Sequence, residues 1–257
     1  LLGGGPGGAG YHGGARSGSL IQPAQEEAMR REEFVKLAGG VYESPIHYGQ
    51  WGERERYENF WAFYDDFRVE ARSLYAGVEV SRLIERGEYS IEHIIPNSLL
   101  KKYLQRSPRA VRNGASVNPL NLAPCHRELN NQRKDLPFDF DGDQIVEAAC
   151  IDLPEARVCV VGLDHEREWV VPRWTRGDVA RAILYMGLVY RLERLFGENL
   201  EALLAWAEED PPDAWEVSYN DWVKARLGIW NPFVSKEPHR LPRQLLRDWE
   251  LMSSFRV

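Results

Sequence analysis

Apolar residues recur at helical spacing in RERYENFWAFYDDFRVEARSLY, where Tyr57, Phe60, Trp61, Tyr64 and Phe67 share one face. This spacing predicts a helix whose aromatic face packs into a core. Upstream, AQEEAMRREEFVKLAGG reads as a polar helix ended by Gly39 and Gly40. The period then shortens. Residues 89–95, YSIEHII, alternate weakly and are rich in Ile and Tyr, which predicts a short strand stopped by Pro96. SVNPLNL reads as extended, and APCHRELNNQRK as a helix with Pro124 in its first turn. QIVEAACIDL and ARVCVVGL predict a hairpin, with REWVV as a third strand. TRGDVARAILYMGLVYRLERLFG opens on a capping-box pattern, Thr175 and Asp178, and turns Val179, Ile183 and Met186 to one face. ENLEALLAWAEED is cut off by Pro211 and Pro212, after which Asp213 caps a last helix ending at Gly228. The class predicted is α+β: a mostly helical body with a small sheet. Residues 1–22 are Gly-rich and expected to be disordered, and 23–257 are expected to form one domain.

Composition narrows the function classes. With 44% apolar residues and no apolar run of bilayer length, the chain is not expected to enter a membrane. It begins with Leu and lacks a charged n-region followed by an apolar h-region, so an upstream segment is expected to have been removed or left out, and export stays open. Three cysteines form neither a CxxC pair nor a disulfide framework. Cys150 and Cys159 lie one on each arm of the predicted hairpin; two buried thiols are the plainer expectation, with a disulfide as the alternative. The net charge of -7 argues against a nucleic-acid partner until its distribution is considered. From His93 to Arg127 there is no Asp or Glu, but there are Lys101, Lys102, Arg106, Arg109, Arg112 and Arg127. A cationic loop on an acidic body is what phosphate binding needs.

Chemistry concentrates in the same window. A neutral imidazole can take a proton from water, carboxylate and amide oxygens can hold a hard divalent cation, and a cationic rim can seat phosphates. Glu92 and His93 end the first strand, and Asn130 shares a helical face with Arg127 and Arg133. Adjacent strand residues point to opposite faces, so Glu92 and His93 can share one site only if the strand twists or bulges there.

The order EHIIP, NPLNLAP and ELNNQR resembles the His-Me finger (ββα-metal) nucleases, and specifically the endonuclease I family of bacterial periplasmic and secreted nucleases. In that family a Glu-His pair ends a strand, Asn-Leu-x-Pro leads to a helix, and the helix carries Asn followed three residues later by Arg. Glu92 and His93, Asn121 to Pro124, and Asn130 with Arg133 match these positions. WTRGDVAR and the segment from DPPDAWE to NPF extend the likeness, so that it covers about residues 89–234 with a ββα-metal core at about 89–134. One departure is that the family's Asp-Leu-His-Asn-Leu is here Asn118, Pro119, Leu120, Asn121 and Leu122.

The resemblance implies a Mg²⁺-dependent endonuclease of low sequence specificity that leaves 5′-phosphates, with Mn²⁺ or Ca²⁺ as other occupants of the metal site. His93 would be the general base, Glu92 and Asn130 the metal ligands, Asn121 an orienting residue, and Arg133 and Arg112 phosphate clamps. Lys101, Lys102, Arg106, Arg109 and Arg127 would meet the backbone of DNA, with RNA as a second substrate class. A secreted or periplasmic monomer without an organic cofactor is expected. The blander readings make Glu92 a surface carboxylate, Asn121 a helix cap and Asn130 a solvated residue; His126 reads as a helix-surface residue. Two other functions compete: a nucleic-acid-binding protein that kept the fold and lost catalysis, and a module whose cationic loop meets an acidic protein.

Overall fold

A computed structural model describes residues 70–234 except 143–144, 153–156, 191, 193–194 and 196–198, together with Glu58, Phe60, Trp61, Ala62 and Tyr64. The Gly-rich segment, the polar helix that follows it, Tyr57 and Phe67 lie outside these residues. Phe60, Trp61 and Tyr64 are helical as expected, and Phe60 and Tyr64 are buried. Their rings lie 4.6 Å apart, and Tyr64 meets Tyr219 at 4.7 Å, so this aromatic face is core. The helix does not run on to Tyr75. Arg72 bridges Glu79 in a tight return, and Tyr75 takes a left-handed φ of 71°. Helix α1 (Val80–Arg86) follows and ends at Gly87, whose φ of 65° turns the chain into the first strand.

That strand, β1 (Tyr89–His93), pairs antiparallel with β2 (Leu122–His126), in register from Tyr89 opposite His126 to His93 opposite Leu122. The cationic segment between them is not a loop. It folds into α2 (Asn97–Tyr103) and α3 (Arg109–Ser116), each entered from a proline, followed by a 3-10 turn at Pro119–Asn121. Leu100, Leu104, Val111 and Ala115 bury one side of this helix pair. The predicted extended segment and proline-containing helix are likewise displaced. Pro124 lies within β2, where its carbonyl accepts from Leu74 N at 2.8 Å, and α4 (Arg127–Arg133) starts only after His126. A proline fits there because, among the described residues, this sheet has two strands and an N–H can be spared.

The second sheet has the order β3-β6-β5-β4, from β3 (Phe138–Asp139), β4 (Glu147–Asp152), β5 (Arg157–Leu163) and β6 (Trp169–Val170). The predicted hairpin and third strand are all present. Cys150 faces Cys159 across β4 and β5, and the two form a disulfide rather than a pair of buried thiols. Cys125 is the buried free thiol.

Helices α5 (Arg176–Val189), α6 (Leu200–Glu209) and α7 (Ala214–Leu227) complete the described body. Asp213 caps α7 by accepting from Glu216 N at 2.7 Å, and Gly228 ends it, as the sequence predicts. The start of α5 departs from a capping box, because the Thr175 hydroxyl donates to Asp178 Oδ2 instead of accepting a backbone amide. Gly177 is required by packing: a Cβ there would collide with the carbonyl oxygen of Asp210. Buried Arg181 pairs with Asp178 within α5 and ties that helix to Glu216 of α7, and Asn231 of the NPF segment donates to the Arg181 carbonyl. Helix α5 thus gives a rigid floor, from which Tyr185 and Tyr190 contact Asn118 at the entrance to the 3-10 turn. Among the described residues no helix is long and apolar enough to cross a membrane.

Candidate active site

The β1–β2–α4 unit assembles the predicted residues on one short frame. Helix α4 lies along β1. Its Asn130 Nδ2 donates to Ser90 Oγ at 2.9 Å and to Ile91 O at 2.8 Å. Both amide hydrogens are therefore committed, and Oδ1 takes no hydrogen bond among the described residues. One turn later Arg133 reaches Glu92 Oε1 at 2.8 Å, His93 O at 3.0 Å and Ile94 O at 2.9 Å. Arg133 is only 1% exposed, with its guanidinium 4.5 Å from the Phe138 ring centre. The sequence places it as a phosphate clamp; in the structure it fastens the end of β1 from inside the core.

Glu92 is 2% exposed and also accepts from the Tyr75 hydroxyl at 2.9 Å. Burial pushes its carboxyl up to about 7, against the lowering effects of Arg133, the Tyr75 hydroxyl and the His93 amide. Both side-chain donors meet Oε1, so Oε2 is the oxygen with acceptor capacity left for a cation. The chemistry of the pair, one carboxylate and one amide oxygen, suits a hard cation that keeps several waters. Asn130 fits that duty through its oriented Oδ1, and Glu92 fits through Oε2 alone.

His93 lies on the other face of the strand. The register through Glu92 and His93 is unbroken, so no bulge turns His93 to the side of Glu92. Ser90 and Glu92 face α4, whereas His93 Nε2 contacts the Ser116 carbonyl of α3 at 2.9 Å. A carbonyl can only accept. In the neutral ring Nε2 therefore carries the hydrogen, and Nδ1 is the nitrogen able to take a proton. Asn121 does not touch the imidazole. It is buried, and clamps Ile95 by accepting from its N–H at 2.9 Å and donating to its carbonyl at 3.2 Å. The chain leaving His93 is thereby held on both sides, by Asn121 and by Arg133.

Tyr75 and the Ser116 carbonyl are site components that sequence reading missed. Tyr75 is hidden by the aromatic helical pattern before it, and a backbone carbonyl leaves no mark in a sequence. His126 is misread as a surface residue. It is 5% exposed and caps α4, its Nδ1 accepting from Glu128 N at 3.2 Å.

Residues 55–238, more than half of the chain, match the endonuclease I family. The chain belongs to that family. A periplasmic deoxyribonuclease of Aeromonas hydrophila is 33% identical over 122 residues, a stretch covering 46% of this chain and 46% of that relative. The curated relative is thus matched over about half its length. The family match begins in the aromatic segment, upstream of the motif that first suggests it.

Where the endonuclease I pattern has Asp and His before the helix, this member has Asn118 and Leu120, both buried. Asn118 keeps a structural duty: Oδ1 accepts from Leu120 N, and Nδ2 lies 3.0 Å from the Tyr190 hydroxyl. The cations divide into two groups. Lys101, Lys102, Arg106 and Arg109 are exposed on and between α2 and α3. Arg112 instead closes the connection between those helices by donating to Gln105 O and Ser107 O, and Arg127 bonds Gly87 O at 2.6 Å. A cavity of about 250 Å³ opens behind β2, lined by Ile94, Leu122, Trp174 and Tyr219 but by neither His93 nor Asn130. Elsewhere, Asp139, Asp164 and Glu168 bring three carboxylates within 4.8 Å of one another, a grouping the sequence did not suggest. Burial, followed by its acidic neighbours, raises the Glu168 carboxyl.

Proposed function

We propose that this endonuclease I family member hydrolyses phosphodiester bonds of DNA with little sequence preference, RNA being a second substrate class, and that it works outside the cytoplasm. The observation that carries the reading is the oriented His93: an imidazole whose Nε2 is held by the Ser116 carbonyl, at the end of a strand fastened to α4. In this reading Nδ1 takes the proton of the attacking water, while Nε2–H keeps its carbonyl and spreads the imidazolium charge. Asn130 Oδ1 and Glu92 Oε2 would hold Mg²⁺, which when bound stabilises charge on the phosphate and on the departing 3′-oxygen; because His93 lies on the other face of β1, the phosphate is placed across the end of the strand, where it can meet both faces. Attack by water at phosphorus leaves a 5′-phosphate. The Cys150–Cys159 disulfide and the periplasmic relative support an oxidising compartment.

Plasmid digestion with Mg²⁺ or with EDTA tests the proposal, cleavage being expected only with the metal. Asn130→Ala should raise the Mg²⁺ concentration needed for half-maximal rate by about 10- to 100-fold, the scale of a weakened metal site. An unchanged Mg²⁺ dependence in a folded Asn130→Ala protein would move the ligands elsewhere, with Asp139, Asp164 and Glu168 next to be tested. The same assay separates the enzyme from a binding protein that lost catalysis.

The exposed cations are assigned to the DNA backbone. Replacing Lys101, Lys102, Arg106 and Arg109 together by Gln should weaken binding to unrelated duplexes alike. It should also flatten the plot of log affinity against log salt by about 0.9 for each phosphate that is no longer neutralised. Fluorescence anisotropy in a His93→Ala background reads this without substrate loss. An unchanged slope would show that α2 and α3 are bystanders.

A further inference from the structure

The seven-residue α4 has few internal hydrogen bonds with which to hold itself, and its first amides need partners outside the helix. Two of them are satisfied in different ways. Arg127 N donates to Glu88 O at 2.8 Å, a backbone contact indifferent to pH. Glu128 N donates to the imidazole of His126 at 3.2 Å, and that acceptor exists only while Nδ1 is unprotonated. Ser, Thr, Asp and Asn are the usual residues at such a position, and none of them loses its acceptor near neutrality.

We propose that His126 is a proton-sensitive cap, a positioning residue that holds α4, and with it Asn130, in place only while its imidazole is neutral. The inference rests on the nuclease reading for its consequence and on the cap geometry for its cause. On protonation the ring becomes a donor at both nitrogens, facing a helix terminus that already carries partial positive charge. Glu128 N then has no acceptor on the ring, and the first turn of α4 loosens. Asn130 lies in the next turn.

The surroundings set where this happens. Nε2 points to Glu88 Oε2 at 3.6 Å, and Arg86 pairs with the same carboxylate at 2.9 Å. Arg127, which bonds Gly87 O, and Glu128 follow His126 on α4, and Tyr89 is its pairing partner on β1. Burial lowers the imidazole below its ordinary 6.5, with Glu88 and Glu128 opposing and Arg86 assisting. The cap is therefore intact at and above neutral pH. It is lost as pH falls from 6.5 through the depressed folded value.

Amide exchange in the metal-free protein tests the cause, and cleavage tests the consequence. After correction for intrinsic exchange rates, wild-type protection of the Glu128 amide should fall about five- to tenfold between pH 7.5 and 5, the scale of a lost N-cap. His126→Asn, which caps without titrating, should show no such fall. In Mg²⁺-supported cleavage at pH 8, His126→Val should lose activity and need more Mg²⁺, with His126→Asn restoring both. On the acid side, His126→Asn should lose activity less steeply than wild type, by one ionisation. Wild-type protection independent of pH, or an equal fall in His126→Asn, would overturn the proposal, as would a His126→Asn protein no better than His126→Val. The exchange measurement on wild type requires no variant to fold. If the wild type cut nothing at any pH, the nuclease reading would fail while exchange still decided the cap.

Discussion

His93→Ala is expected to lower the rate of DNA cleavage by about 10² to 10⁴, the usual worth of a positioned general base, with little change in affinity for DNA. The imidazole is fixed at Nε2 by the Ser116 carbonyl, and in the proposed mechanism it acts through Nδ1, so its loss should remove a proton acceptor and not a phosphate contact. Single-turnover cleavage of a labelled duplex gives the rate, and anisotropy gives the affinity. A folded His93→Ala protein that cuts like wild type would remove His93 from the mechanism. If instead the rate held while affinity fell, the imidazole would be a binding group.

Arg133→Met is expected to destabilise the protein by about 3–5 kcal/mol at pH 8, because it strands the Glu92 carboxylate in the core. Removing Glu92 as well, in Arg133→Met with Glu92→Gln, should recover part of that loss, since no uncompensated charge is then buried. The penalty depends on pH with a definite sign. Glu92 is already raised from 4.5 to about 7, so its protonation favours the folded state at low pH, and that contribution is withdrawn as pH rises from 4.5 to 7. Without Arg133 the carboxyl climbs further, and the single variant should be closer to wild type at pH 5 than at pH 8. Urea unfolding followed by tryptophan fluorescence measures both. Equal, small losses at the two pH values would show that the buried pair is not what fastens β1 to α4.

Local signals carried the elements they control. Asp213 and Gly228 bound α7 because a cap and a left-handed stop act within a single turn. Val, Ile and Trp runs gave β4, β5 and β6 because strand preference follows side chains that fit a half-buried pleat. Errors arose where a distant partner outweighed a local preference. Pro124 suits a first helical turn, but Leu74 and β1 draw it into a strand. The cations from Lys101 to Arg112 suggested a loop, yet Leu100, Leu104, Val111 and Ala115 supply enough apolar contact for two helices. Cys150 and Cys159 could have packed as thiols, and the register of β4 on β5 set them opposite each other.

The sequence by itself determined which candidate residues lie near one another and in what order, because Glu92-His93, Asn121 and Asn130 through Arg133 are fixed by short spacings along one strand, turn and helix. It also determined family membership, through motifs spread over most of the matched span. What each of these side chains does was decided by tertiary structure. Arg133 and Arg127 share a helical face in sequence, yet one is buried against Glu92 and the other bonds the Gly87 turn. Ser116, Tyr75 and His126 joined the site only when α3, the 71–79 return and the start of α4 met β1 and β2. Spacing sets which residues lie near each other on one element. The partner that satisfies a buried hydrogen or carbonyl comes from another element, and only packing brings the two together.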